Sequence, residues 1–230
     1  MRAMQETGSR NSLWWLPAGL LLVALTLASL AVGYVDMKPL RLLQGALAGE
    51  WVPSRILWDL RVPRTVLCVA VGAALGMSGA ALQGLLRNPL AEPGLLGVTG
   101  GAALGAVVAL YTGMAQAMVL ALPLAGMAGT ALAVTLVFAL ARRNDDTTTL
   151  ILAGVAISAL SSALIALVMN WSRNAFALQE IVFWMMGSLA DRSMRAVGLA
   201  VPAIVIGMLL LWQARRGLQA LALGEETAHS

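Results

Sequence analysis

Charged residues are scarce in this chain. Only 11% of its 230 residues are charged, whereas 60% are hydrophobic, and the mean hydropathy is +0.83. A soluble domain carries about 25% charged residues. The composition therefore excludes an ordinary soluble domain and indicates an integral protein of the lipid bilayer. The net charge of +4 is scattered between apolar runs and gives no reason to expect a nucleic-acid partner.

Lysine, histidine and cysteine occur once each, which excludes several kinds of site. A P-loop needs a lysine to reach the phosphates, and Lys38 lies in MKPL, outside any such loop. His229 alone cannot supply a histidine metal site or a Ser-His-Asp triad. Cys68 has no partner for an internal disulfide. We therefore expect no metal, no cofactor and no enzymatic activity.

Long apolar runs predict six membrane spans, because a helix needs about 20 apolar residues to cross the hydrocarbon core. The six spans are residues 11–35, 65–86, 93–141 divided into two at Tyr111–Gln116, 147–172 and 196–214. None of them contains Asp, Glu or His. Proton-coupled carriers rely on such groups inside the membrane. A transport function would therefore draw its energy from a partner.

Two features concern the membrane surface. Residues 176–189 are too short and too interrupted to span, and they predict an interfacial helix with Trp184 at headgroup depth. Arginines fall almost equally on the two sides of the predicted spans, so their count does not decide orientation. The pairs Arg142–Arg143 and Arg215–Arg216, beside helix ends, favour a cytoplasmic N-terminus, with residues 1–12 as a cytoplasmic tail.

Residues 85–105, LLRNPLAEPGLLGVTGGAALG, form the most distinctive stretch. Asn88 precedes a proline, which disfavours helix, and Pro93 suits the first turn of the next helix. Irregular backbone near a bilayer is tolerated only where protein or a water-filled cavity surrounds it. The stretch is either an ordinary tight membrane hairpin or part of a transport pathway.

Glycines recur at a spacing of four residues in the second and third spans. They are Gly72 and Gly76, followed by Gly97, Gly101 and Gly105. Because this spacing lets two helix backbones approach closely, these glycines predict helix packing.

Three other groups of residues each have two interpretations. Arg61 and Arg64 precede the second span and either reach lipid headgroups or bind acidic side chains of an extracytoplasmic partner. Thr147 and Thr148 begin the fifth span and either cap its helix or line a pore mouth. Residues 215–230 are either a frayed tail or the start of a coupling region that docks in a groove of an ATPase.

Taken together, several segments resemble the FecCD family of ABC-importer permeases, which move iron–siderophores, haem and cobalamin. The matching segments are RVPRTVLCVAVGAALGMSGAALQGLLRNPLAEPGLLGVTGGAALGA, TTTLILAGVAIS, FWMMGSL and LQALALGEE. The resemblance implies an all-α, polytopic helical bundle in the bacterial inner membrane, with residues 1–230 in one transmembrane permease domain. It also supports the cytoplasmic N-terminus.

The resemblance implies a role for each candidate residue. Arg61 and Arg64 match arginines that pair with glutamates on the substrate-binding protein. A cytoplasmic gate is matched by Asn88, Leu90, Thr147 and Thr148. The start of the helices that couple to the ATPase is matched by Leu223, Gly224 and Glu225.

The partners that the resemblance implies are an ABC ATPase subunit, an extracytoplasmic substrate-binding protein and a second permease subunit that forms a homodimer. Family members have about ten spans, and six are predicted here, so the chain resembles the N-terminal portion of a permease. Two alternatives stay open. One is a six-span membrane module that captures a small vitamin by itself, and the other is a non-functional permease fragment.

Overall fold

The computed structural model describes residues 15–33, 35, 37–142, 147–172 and 174–223, with side chains to residue 219. Over this part of the chain the structure is helical and contains no strand. The predicted all-α helical bundle is therefore confirmed.

The described helices follow one another closely along the chain. The α-helices are α1 (Trp15–Ala31), α2 (Pro39–Leu47), α3 (Trp51–Arg55), α4 (Val62–Leu86), α5 (Val98–Tyr111), α6 (Met114–Ala117), α7 (Ala121–Ala141), α8 (Thr147–Trp171), α9 (Ala175–Met186) and α10 (Met194–Leu223). A π-helix (Ile56–Arg61) joins α3 to α4, and a 3-10 helix (Pro93–Leu96) precedes α5.

Each predicted span corresponds to a described helix. Four helical segments are long and apolar enough to cross a membrane: Trp51–Leu86, Ala121–Ala141, Thr147–Trp171 and Met194–Gln219. The helices α1 and α5 are apolar but shorter. Helix α5 is shorter than predicted because the 3-10 helix and Gly97, whose φ is +73°, occupy the start of the predicted span.

Two compact units make up the chain. The first contains the described residues up to Ala74 together with Leu189–Gly207. The second contains Leu75–Ser188 and the described residues from Met208 onward. A single domain over residues 1–230 stays a prediction.

The second unit is built on α5, α7 and α8. One buried cluster joins Ala133 and Val137 of α7 to Ala153 and Ile157 of α8. A second cluster consists of Val107, Leu110, Ile165 and Ile181. Ile181 belongs to α9 and is fully buried, and Trp184 of the same helix packs against this cluster. The interfacial depth of α9 stays a prediction.

Glycines allow α5 and α7 to touch through their backbones. A Cβ atom on Gly101 would lie 2.5 Å from the carbonyl oxygen of Gly129, and one on Gly105 would overlap the carbonyl group of Ala125. Gly72 and Gly76 of α4 differ, because a Cβ atom on either would have no described neighbour within 4 Å. The same spacing therefore marks a packed face on α5 and an open face on α4.

This difference predicts opposite effects of alanine. Gly105→Ala should lower the free energy of unfolding by about 1–3 kcal/mol, because the new methyl group forces two helices apart. Gly76→Ala, the matched control, should raise it by about 0.5–1 kcal/mol, because alanine favours helix over glycine and meets open space. Reversible unfolding of the purified chain in mixed micelles measures both. Equal losses in the two variants would contradict the packing difference.

Candidate functional site

The helix α4 ends in a hydrogen-bonded turn at Arg87. The N–H of Arg87 donates to the carbonyl of Gly84 (3.4 Å), and the N–H of Asn88 donates to the carbonyl of Gln83 (3.2 Å). Arg87 itself has φ +48°. This is the Schellman arrangement, in which a left-handed residue follows the helix and its last carbonyls are satisfied. The chain therefore turns at Arg87, before Pro89, although glycine is the usual residue at such a position.

The side chain of Asn88 holds the following turn. Its Oδ1 accepts the N–H of Leu90 (2.9 Å), and its carbonyl oxygen accepts the N–H of Ala91 (3.1 Å). Leu90, by contrast, is 82% exposed. The two residues predicted for one wall of the gate thus differ: Asn88 shapes the turn, and Leu90 presents a free apolar side chain.

The end of the turn rests on α8. The hydroxyl of Ser158 donates to the carbonyl of Gly94 (3.3 Å). A Cβ atom on Gly97 would lie 3.1 Å from the Cγ2 atom of Ile157, and one on Gly154 would overlap the carbonyl of Leu95. Residues 94–97 therefore lie directly on one face of α8, between positions 154 and 158.

This contact joins residues 94–97, which follow the predicted gate residues Asn88 and Leu90, to the helix that begins with Thr147 and Thr148. Thr147 and Thr148 are the first residues of α8, about two helical turns before Gly154. Both threonines are exposed. The sequence analysis did not predict the contacts of Gly154, Ser158 and Gly129. The signal available for the two glycines was their place in an apolar helical pattern, which is typical of close packing. The gate role itself stays a prediction.

The two arginines predicted to dock a partner both contact the end of α1. Arg61 is 3% exposed, and its Nη atoms donate to the carbonyls of Leu30, Ala31 and Val35. Arg64 is half-buried and donates through Nη2 to the carbonyls of Ser29 and Val32. A partner would thus reach Arg64 more easily than Arg61, and docking at either residue stays a prediction.

The predicted coupling segment begins as a continuation of the last described helix. Helix α10 runs to Leu223, and the guanidinium of Arg215 lies 4.3 Å from the centre of the Trp212 ring. Gly224 and Glu225 lie outside the described residues. The described part of the chain contains no group of three His, Cys, Asp or Glu side chains that could hold a metal ion.

The four long apolar helical segments, together with the shorter apolar helices, define an all-α, polytopic membrane protein. The family model of the FecCD transport family matches residues 21–230, and the chain belongs to that family. The membership of the FecCD family that the sequence motifs indicated is therefore confirmed.

Two kinds of relative agree with this assignment. The chain is 37% identical, over 222 residues, to the vitamin B12 import system permease protein BtuC of Salmonella paratyphi A and of Salmonella newport. The match covers 95% of this chain and 65% of each relative. A solved metal-chelate type ABC transporter in an inward-facing conformation matches with a TM-score of 0.77 and 30% identity. That match covers 92% of this chain and 65% of the solved chain, so the chain spans about two thirds of the length of these relatives.

The hydrogen bond of Asn88 predicts which substitution the turn tolerates. Asn88→Ala removes the acceptor of the Leu90 N–H and should lower the stability of the turn by about 0.5–1.5 kcal/mol. Asn88→Asp keeps an oxygen at the same place and should stay close to the wild type. Amide exchange at Leu90 measures the effect. Equally fast exchange in both variants would mean that the side-chain oxygen does not hold the turn.

Proposed function

We propose that the chain is a permease subunit of an ABC importer for metal chelates of the cobalamin, iron–siderophore or haem type. The observation that supports it most is the match of the FecCD family model to residues 21–230. The packing of the RNPLAEPG turn against α8 adds to this support. A separate ATPase supplies the energy, because the chain has no P-loop lysine and no acidic residue in its predicted spans.

In this proposal the seated turn is one wall of a cytoplasmic gate. Asn88 fixes the turn, Leu90 projects from it, and Thr147 and Thr148 belong to the helix that carries it. Because residues 94–97 lie directly against α8, we expect the turn and this helix to move together. A rigid wall of this kind transmits a displacement that a flexible loop would absorb.

The assembly consists of two copies of the permease, a pair of ATPase subunits and an extracytoplasmic binding protein. The N-terminus is cytoplasmic in the bacterial inner membrane, and residues 215–230 begin the coupling region that docks in a groove of the ATPase. The binding protein brings the chelate and places acidic side chains against Arg64, which is more accessible than Arg61. Charge-assisted hydrogen bonds of this kind are stronger than neutral ones.

Uptake in a deletion strain tests the function. In bacterial strains that each lack their own permease for vitamin B12, for a ferric siderophore or for haem, the chain should restore uptake of the corresponding labelled chelate in at least one strain. Gly224→Asp should abolish this uptake at an unchanged membrane level, because a charge at the coupling contact disturbs docking on the ATPase.

Two results would count against this proposal. Failure to import any of the three chelates, with the chain present in the membrane, would contradict the permease function. Tight binding of cyanocobalamin by the purified chain alone would favour the membrane capture module instead.

Docking is tested by reversing one charge. Arg64→Glu should weaken binding of the extracytoplasmic binding protein by at least about tenfold, since hydrogen bonds to charged groups are worth about 1.5–3 kcal/mol. Arg55→Glu is the matched control, because Arg55 is exposed and pairs with Asp59 (3.0 Å). Titration of the binding protein onto the reconstituted chain at low salt measures both. The same affinity in the Arg64 variant as in the wild type would remove Arg64 from the interface.

A further inference from the structure

The C-terminal end of α1 has carbonyl groups that its own helix cannot satisfy. The last turn of an α-helix leaves four C=O groups without N–H partners. At α1 the carbonyl of Ala28 still accepts the N–H of Val32 (2.8 Å). Five later carbonyls accept guanidinium N–H groups: those of Ser29, Leu30, Ala31, Val32 and Val35.

Two arginines from one stretch of helix supply these donors. Nη1 of Arg61 donates to the carbonyls of Leu30 (2.9 Å) and Ala31 (2.6 Å). Nη2 of the same residue donates to Val35 (3.1 Å). Arg64 follows three residues later, on the same helical face, and its Nη2 donates to Ser29 (3.0 Å) and Val32 (2.9 Å).

Glycine at position 33 leaves the space that Arg61 occupies. A Cβ atom on Gly33 would lie 3.0 Å from Nε of Arg61 and 3.4 Å from its Cζ and Nη2 atoms. A hydroxyl pair adds to the contact, because Ser29 Oγ lies 2.8 Å from Oγ1 of the buried Thr65. The fit is therefore specific for a small residue opposite the guanidinium.

The buried guanidinium of Arg61 faces carbonyl groups through its two Nη atoms. The C-terminal end of a helix carries partial negative charge and stabilises a cation. Among the described residues that line the adjoining cavity of about 90 Å³, Asp191 carries a carboxyl group, and within the described chain Arg61 makes no ion pair of 4 Å or less. An unpaired carbonyl costs several kcal/mol in hydrocarbon, so these hydrogen bonds matter most where the end of α1 is shielded from water.

We propose that Arg61, Arg64 and Gly33 form an inter-helix cap that fixes the end of α1 to the start of α4. Arg61 is a positioning residue of this cap, and Gly33 makes its fit possible. Arg64 belongs to the cap through its Nη2 atom. This role is independent of whether Arg64 also contacts a binding protein. The proposal concerns the folded chain itself and does not depend on the transport function.

Amide exchange of the whole chain in detergent tests the cap. Arg61→Gln should speed exchange in residues 28–32 by at least about tenfold, because the last turn of α1 frays when its carbonyls lose their donors. Exchange in α5, residues 98–111, should not change. Arg55→Gln is the matched control, since it removes an exposed arginine of the preceding helix, and it should leave both segments unchanged.

Two further variants keep the test decisive. Gly33→Val should speed exchange in residues 28–32 because its side chain displaces the guanidinium, and it should add little in the Arg61→Gln background. Arg64→Gln removes only two of the five bonds, so it should give a smaller increase in a chain that still folds. If Arg61→Gln folds and its residues 28–32 exchange as slowly as in the wild type, the proposal is overturned. If Arg61→Gln does not fold, the same result in folded Arg64→Gln overturns it.

Discussion

Hydrocarbon offers no hydrogen-bond partners to a peptide backbone, so a membrane chain must satisfy its own N–H and C=O groups. Helices do this along their length, which is why the apolar runs of this chain form α7, α8 and α10. The requirement is hardest to meet at helix ends and turns. The notable polar contacts lie there: the arginines at the end of α1, and the Asn88 side chain in the turn after α4.

Close backbone contact decides how the second unit is held together. Where α5 meets α7, Gly101 and Gly105 leave no room for a side chain, and Gly154 does the same beneath the 3-10 helix. Lipid tails are as apolar as the helices, so packing rather than hydrophobic burial drives such association. Residues 94–97, which follow the polar turn, are therefore held directly against α8.

Arg61 and Arg64 show how one residue type can serve two different roles. Both arginines precede an apolar span, which is also where a docking cation would be expected. Arg61 is buried against backbone carbonyls, whereas Arg64 keeps part of its surface accessible. A guanidinium suits both tasks because it presents five N–H donors in a fixed plane and stays charged when partly desolvated.

Residue composition and run length determined that this chain is a helical membrane protein, because the cost of placing a side chain in lipid depends on its type. The motif RNPLAEPGLLG determined the place of the polar turn and the family resemblance. Which glycines pack was decided only by the tertiary structure. Gly76 and Gly105 share the same spacing pattern, but only Gly105 faces a described neighbouring helix. The burial of Arg61 was decided in the same way, since it depends on the end of α1, thirty residues earlier in the chain, and local sequence carries no record of that contact.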